Sequence, residues 1–144
     1  ASLLIGFFYG EDLNGGAKGD FLGYLTIINF FNENFKDTFL NYDKFGDRHS
    51  PLTVILLSQL LKFDLNEFFI RFLNLNLCLV IIIIFYKCLK IIYKDVDKYF
   101  LQLLCFVIFL SPTFRALSIW PDSRIHGLLF FILSLFYFIK FIYI

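Results

Sequence analysis

Three polar stretches carry most of the side chains able to do chemistry. "GEDLNGGAKGD" over 10–20 holds Glu11, Asp12 and Asp20; "FGDRHSPL" over 45–52 sets Asp47, Arg48 and His49 against Pro51; "SPTFRALSIWPDSR" over 111–124 holds Arg115, Asp122 and Arg124. A carboxylate whose pKa is raised by partial burial can take a proton as a general base. Arginine can grip phosphate oxygens in bidentate fashion. Arg48 and His49 precede a helix start at Pro51, whose N-terminus adds its own attraction for an anion. Each group also has a plain role to weigh against these. Asp20 is a preferred N-cap for the helix that follows, Asp47 can pair with Arg48, Glu11 and Asp12 can be solvated loop acids, and Arg115, Asp122 and Arg124 can mark a membrane boundary. "NGGAKGD" lacks phosphate-loop spacing and a preceding strand. There is no HExxH or GxSxG, only His49 and His126 are histidines, and Cys78, Cys88 and Cys105 have no metal-ligand spacing.

The setting of these stretches follows from composition. Hydrophobic residues make up 59% and charged residues 17%, where a soluble domain carries about 25% charged. A chain of 144 residues has too much surface for its volume to hide that much apolar material from water. Lipid is the economical solvent for it, so an integral membrane protein is expected. With a net charge of +1 and no basic tract, nucleic acid is not an expected partner.

Along the chain, residues 1–9 are apolar but too short to span a bilayer, which takes about 20 residues. They read as the outer end of a first transmembrane helix or the remnant of a signal segment. With no Met even at position 1, the chain is expected to be a fragment. Residues 10–50 read as an external loop containing a surface helix over 20–35, with Phe21, Tyr24, Leu25, Ile28, Phe31 and Phe35 at helical spacing and Asp20 as its cap. Residues 51–62 suit a short interfacial helix opened by Pro51. Asp64 and Glu67 resemble a capping box before a membrane helix over 68–89, at whose start Glu67 and Arg71 stand four apart and can pair. Asn74 and Asn76 on that helix are expected to join helices. Lys87, Lys90, Lys94 and Lys98 mark the cytoplasmic side. Helices over 97–112 and 125–142 then return outward and inward, and 112–124 reads as an external loop with Trp120 at the interface.

The order of these parts resembles the polytopic glycosyltransferases of the GT-C fold, which include protein mannosyltransferases and enzymes using polyprenyl-phosphate sugars. The matching segments are "GDFLGY" at 19–24, "HSPL" at 49–52, "RFLNLNL" at 71–77, "KCLK" at 87–90, "LSPTFRALSIWPDS" at 110–123 and "GLLFFILSLFYF" at 127–138. They cover nearly the whole chain. The family commonly has "PPL" where this chain has "HSPL", a "DE" pair where it has "GD", and many more membrane helices.

The resemblance implies an all-α, multi-pass transmembrane bundle with an external loop carrying amphipathic helices. It implies transfer of a sugar from a polyprenyl-phosphate donor to a glycan, protein or lipid acceptor on the outer face of the plasma membrane. Asp20 would be the base and Asp122 would line the cavity, with Arg48, His49, Glu11, Asp12 and Arg115 as substrate-binding candidates. No tightly bound cofactor is expected. As a minor option, Asp20, Glu11, Asp12 and Asp122 offer oxygen ligands for Mg²⁺ or Mn²⁺. The competing reading is a non-enzymatic multi-pass protein, a transporter half or an assembly subunit. A transport path tends to place ionisable groups at the bilayer midplane, and the centres at 77–86 and 127–138 are uncharged.

Overall fold

The computed structural model describes residues 2–13, 16–47, 49–63 and 66–143. In chain order its α-helices are α1 (Ser2–Tyr9), α2 (Ala17–Glu33), α3 (Phe35–Leu40), α4 (Leu52–Leu61), α5 (Glu67–Ile92), α6 (Lys98–Phe106), α7 (Pro112–Ile119) and α8 (Ser123–Tyr143), with 3₁₀ turns at Tyr42–Phe45 and Val107–Leu110. The protein is all-helical, with no strand among the described residues.

The longest apolar runs make the longest helices. α5 has 26 residues and α8 has 21. At about 1.5 Å per residue both reach the roughly 30 Å of a bilayer's hydrocarbon core. These two are long and apolar enough to cross a membrane. A groove between them joins Ile70, Leu73 and Leu77 to His126, Leu129 and Phe130, so they run side by side in one direction. α6 runs back along α5, and Gln102 and Cys105 meet Ile82 and Tyr86. Leu103, Phe106, Leu110, Phe131, Phe138 and Phe141 are left exposed, an apolar exterior suited to lipid.

The expected helix over 97–112 and the loop after it take a different form. α6 and its 3₁₀ extension end at Leu110, and α7 leaves at an 80° bend. The cause is local. Pro112 has no N–H and its ring blocks a continuing helix, while the residue before it is driven to extended backbone; Ser111 has ψ 118° and its side chain accepts from the Phe114 N–H as the cap of α7. The bent pair has the composition of a third, broken span. α7 is no solvent loop, since Phe114, Ala116, Leu117, Ser118 and Ile119 are buried.

Two capping expectations also change. α2 starts three residues before Asp20, after Gly16 at φ 142°, a backbone angle that favours glycine. Asp12 Oδ2 accepts from the Gly16 N–H at 3.2 Å. Asp20 therefore caps nothing, and its side chain is free for another partner. At α5 the cap is Asn66, whose side chain accepts from the Phe69 N–H at 2.9 Å; Asp64 lies outside the described residues.

α2 buries Phe21, Tyr24, Ile27, Ile28 and Phe31 against α4 and α7. Burying each Phe contributes about 1.5–3 kcal/mol, enough to seat the helix and fix its first turn. Phe35 falls outside this stripe, because Asn34 ends α2 and caps α3 by accepting from the Asp37 N–H at 3.2 Å.

Three of the four described ion pairs lie where α5 and α8 begin, and the fourth, Glu11–Arg115, joins the segment after α1 to α7. Lys87, Lys90 and Lys140 lie toward the far ends of those helices.

Candidate functional site

Asp20, in the first turn of α2, and Asp122, just before α8, do not touch one another; both hold Arg124. Arg124 donates from Nε to Asp122 Oδ1 at 2.7 Å, from Nη2 to Asp122 Oδ2 at 2.8 Å, and from Nη2 to Asp20 Oδ2 at 2.9 Å. Its backbone N–H adds 2.7 Å to Asp122 Oδ1. The two acids differ in environment. Asp122 is 0% exposed, whereas the side chains of Asp20 and Arg124 are 39% and 48% exposed. Burial pushes the Asp122 carboxyl up, but the side-chain and backbone hydrogen bonds from Arg124 outweigh it and hold the carboxyl below its usual range. Asp122, fully buried and bound three times by Arg124, fixes the guanidinium, while Asp20 lines both of the clefts described next.

Asp20 lies on the wall between two clefts. One, of about 430 Å³, is lined by Asp20, Gly23, Tyr24, Asp47 and His49 among others. The other, of about 270 Å³, is lined by Asp20, Arg124, Thr113 and Ala17 among others. Around the first, Asp47 accepts from the Tyr42 hydroxyl at 2.6 Å and from the His49 backbone N–H at 3.0 Å. Tyr24 crosses beneath, its hydroxyl 3.5 Å from Ser123 Oγ. Its pKa is raised, first by burial and then, against the Ser123 hydrogen bond, by the charges of Asp122, Asp47 and Asp20. Tyr24 is therefore a neutral hydrogen-bonding wall. The His49 ring stands edge-on to it, with centroids 6.3 Å apart. Arg48 lies outside the described residues.

Glu11 and Arg115, both expected to meet substrate, meet each other. Arg115 grips the carboxylate with Nε, at 2.7 Å from Oε1, and with Nη2, and also reaches Ser2 Oγ at 3.0 Å. The guanidinium holds Glu11 below its usual pKa, with burial opposing. Gly6 makes the space, since any Cβ there would overlap the Glu11 carboxylate. This pair ties the end of α1 to α7. Asp12 gives Oδ2 to the start of α2, while its Oδ1 is buried with no hydrogen-bond partner among the described residues.

Arg71 and Asn74 of α5 complete the scaffold. Arg71 is 9% exposed. It donates to the Phe7 carbonyl at the end of α1 and to Ile119 O at the end of α7, where helix dipoles leave negative charge. It lies between the rings of Phe7 and Trp120, 5.0 and 4.1 Å from their centroids, while Glu67 is a looser partner at 3.6 Å. Asn74 donates to Leu117 O and Ser118 O at 2.8 and 3.0 Å. Asn76 joins no second helix, since its amide bonds Phe72 O of its own.

Among the described residues no three His, Cys, Asp or Glu side chains gather as a metal-binding group. The acids considered as oxygen ligands are divided, with Asp20 and Asp122 on Arg124 and Glu11 on Arg115. Sequence reasoning ranked Arg124 below its neighbour Asp122. The available signal was the two-residue spacing across a helix start, which lets a side chain fold back on the preceding carboxylate. Tyr24 read only as one of an apolar stripe. No protein family, curated protein or solved structure matches the chain.

Proposed function

We propose that this chain is part of a multi-pass membrane glycosyltransferase that moves a sugar from a polyprenyl-phosphate donor to an acceptor hydroxyl at the outer membrane surface. The observation that carries the reading is the Asp20–Arg124 ion pair of 2.9 Å. It sets a partly exposed carboxylate and a partly exposed cation on adjoining clefts, at the end of two membrane-length helices. Lysines at the opposite end support an outward-facing site by the positive-inside rule.

In the reaction, Asp20 accepts the proton of the acceptor hydroxyl as its oxygen bonds to the anomeric carbon. The bond from that carbon to the phosphate oxygen breaks, and its electron pair leaves with the lipid phosphate. Attack from the face opposite the phosphate inverts the centre. Arg124 takes the charge on the leaving phosphate, with its angle fixed by Asp122. Tyr24 and His49 wall the acceptor side.

The test is release of polyprenyl phosphate from a radiolabelled polyprenyl-phosphate hexose by the full chain in nanodiscs, with a mixed glycan and peptide acceptor pool. Sugar transfer that is lost in Asp20→Asn is expected. Transfer that persists at the wild-type rate in Asp20→Asn overturns the assignment.

One observation favours a second reading, a non-catalytic membrane subunit. Arg71, Arg115 and Arg124 are all engaged by internal partners. On that reading Asp20→Asn changes stability and nothing else.

A further inference from the structure

Arg124 holds its two acids with unequal strength. Asp122 is buried and receives the guanidinium twice and the backbone N–H once. Asp20 has one contact, through an Nη2 that also serves Asp122, and the pair sits half in solvent. An exposed pair of this kind contributes about 0.2–1 kcal/mol, whereas removing one partner of a buried pair costs several times more. A phosphate group presents charged oxygens with geometry suited to guanidinium. Entering the 270 Å³ cleft, which both Asp20 and Arg124 line, it would displace the weaker partner and leave Asp122 in place.

We infer that Asp20 is a latch on Arg124, released when a lipid-borne phosphate monoester or diester binds there, so that the base becomes available only after the donor has arrived. The inference rests on the transferase reading and adds an order to it, donor before acceptor. Released, Asp20 still lines the 430 Å³ cleft on its other side, where an acceptor hydroxyl would approach. Until then its Oδ2 is engaged by the Arg124 guanidinium.

The latch makes an uncommon demand on binding: removing an acid that the transferase needs should tighten the grip on phosphate. Farnesyl phosphate is titrated onto the full chain in nanodiscs, with farnesol and inorganic phosphate in parallel. Asp20→Asn is expected to bind farnesyl phosphate about 1.4- to fivefold tighter than wild type, the factor that corresponds to losing an exposed ion pair as competitor. Asp47→Asn, which removes the same charge from the neighbouring 430 Å³ cleft without touching Arg124, is expected to bind as wild type. Arg124→Gln leaves Asp122 buried without its partner, so the double variant Asp122→Asn/Arg124→Gln is measured beside it; both should lose saturable binding.

If Asp20→Asn binds equally or more weakly, or if Asp47→Asn gains as much, the latch is overturned while a phosphate site at Arg124 stands. If farnesyl phosphate binds the double variant as well as wild type, or no better than farnesol, phosphate does not use Arg124 and both latch and transferase reading fail. Equal gains for inorganic phosphate would overturn the lipid-borne part, assigning the site to a free anion.

Discussion

Asp20 and Arg124, 104 residues apart in the chain, form a 2.9 Å ion pair that joins the first turn of α2 to the start of α8. The contact divides the labour among three ionisable groups. Asp20 faces the clefts, Arg124 faces one of them, and Asp122 holds Arg124 from behind.

That division separates two kinetic phenotypes. On the proposed transferase reading, Asp20→Asn should lower kcat by about 10²–10⁴-fold, the usual contribution of a general base. Asp122→Asn should act through Arg124, raising KM for the lipid-phosphate donor more than it lowers kcat. Steady-state kinetics with varied donor check this, and a kcat loss in Asp122→Asn equal to that of Asp20→Asn would contradict a purely positioning role.

Arg71 closes two helix ends at once, with Phe7 O on one side and Ile119 O on the other. Arg71→Met keeps the apolar stem but removes the charged donor from Ile119 O and from Phe7 O, which retains only the Gly10 N–H at 3.3 Å. With about 1.5–3 kcal/mol for a hydrogen bond to a charged group, the cost should be roughly 3 kcal/mol, and Arg71→Lys should recover part of it. Reversible unfolding in mixed micelles measures both. A change below about 0.5 kcal/mol, the scatter of ordinary surface substitutions, would remove Arg71 from the scaffold.

Gly6 and Glu11 should be coupled. Gly6→Ala drives a methyl into the carboxylate held by Arg115, so it should destabilise wild type yet be nearly neutral beside Glu11→Ala. A double-mutant cycle should return an interaction of about 1 kcal/mol or more. Additive effects would mean that Glu11 can leave Arg115 at no cost.

Acid should loosen the charged end. Glu11 and Asp122 both have folded pKa values below their usual ones, Glu11 chiefly through the Arg115 hydrogen bond, and Asp122 through Arg124 against a larger single effect of burial. A group with a lowered folded pKa binds protons more readily when unfolded. Its stabilisation is fully present above the unfolded value, about 4 for carboxyls, and is lost as pH falls through the folded value. Thermal melts should therefore lose stability as pH falls below about 4, and that acid limb should be shallower in Glu11→Gln and Asp122→Asn. Parallel acid limbs in wild type and both variants would rule these groups out as the cause.

Much of the architecture was legible in the residues. The unbroken apolar runs around 77–86 and 127–138 dictate long helices under any packing, because a helix alone satisfies its backbone in an apolar medium. The Phe21–Phe31 stripe at helical spacing marks the buried face of α2. Less legible was the bend at Pro112. "LSPTF" carries both a cap and a helix breaker, but an apolar stretch followed by a polar-looking one reads as span then loop. Whether the chain turns into solvent or into α7 depends on the docking of Ala116, Leu117 and Ile119 against α5.

The pairing of charges was settled only by tertiary structure. Composition and periodicity dictate an all-helical chain of membrane-like character with polar groups gathered near the helix starts, because hydrophobicity and its spacing are carried by the residues themselves. They do not say which carboxylate meets which guanidinium. Glu11 with Arg115 and Asp20 with Arg124 each close a separation of 104 residues, through crossings of α1 with α7 and of α2 with the start of α8. An ion pair depends on ångström distances between elements, and those distances exist only once the helices have packed.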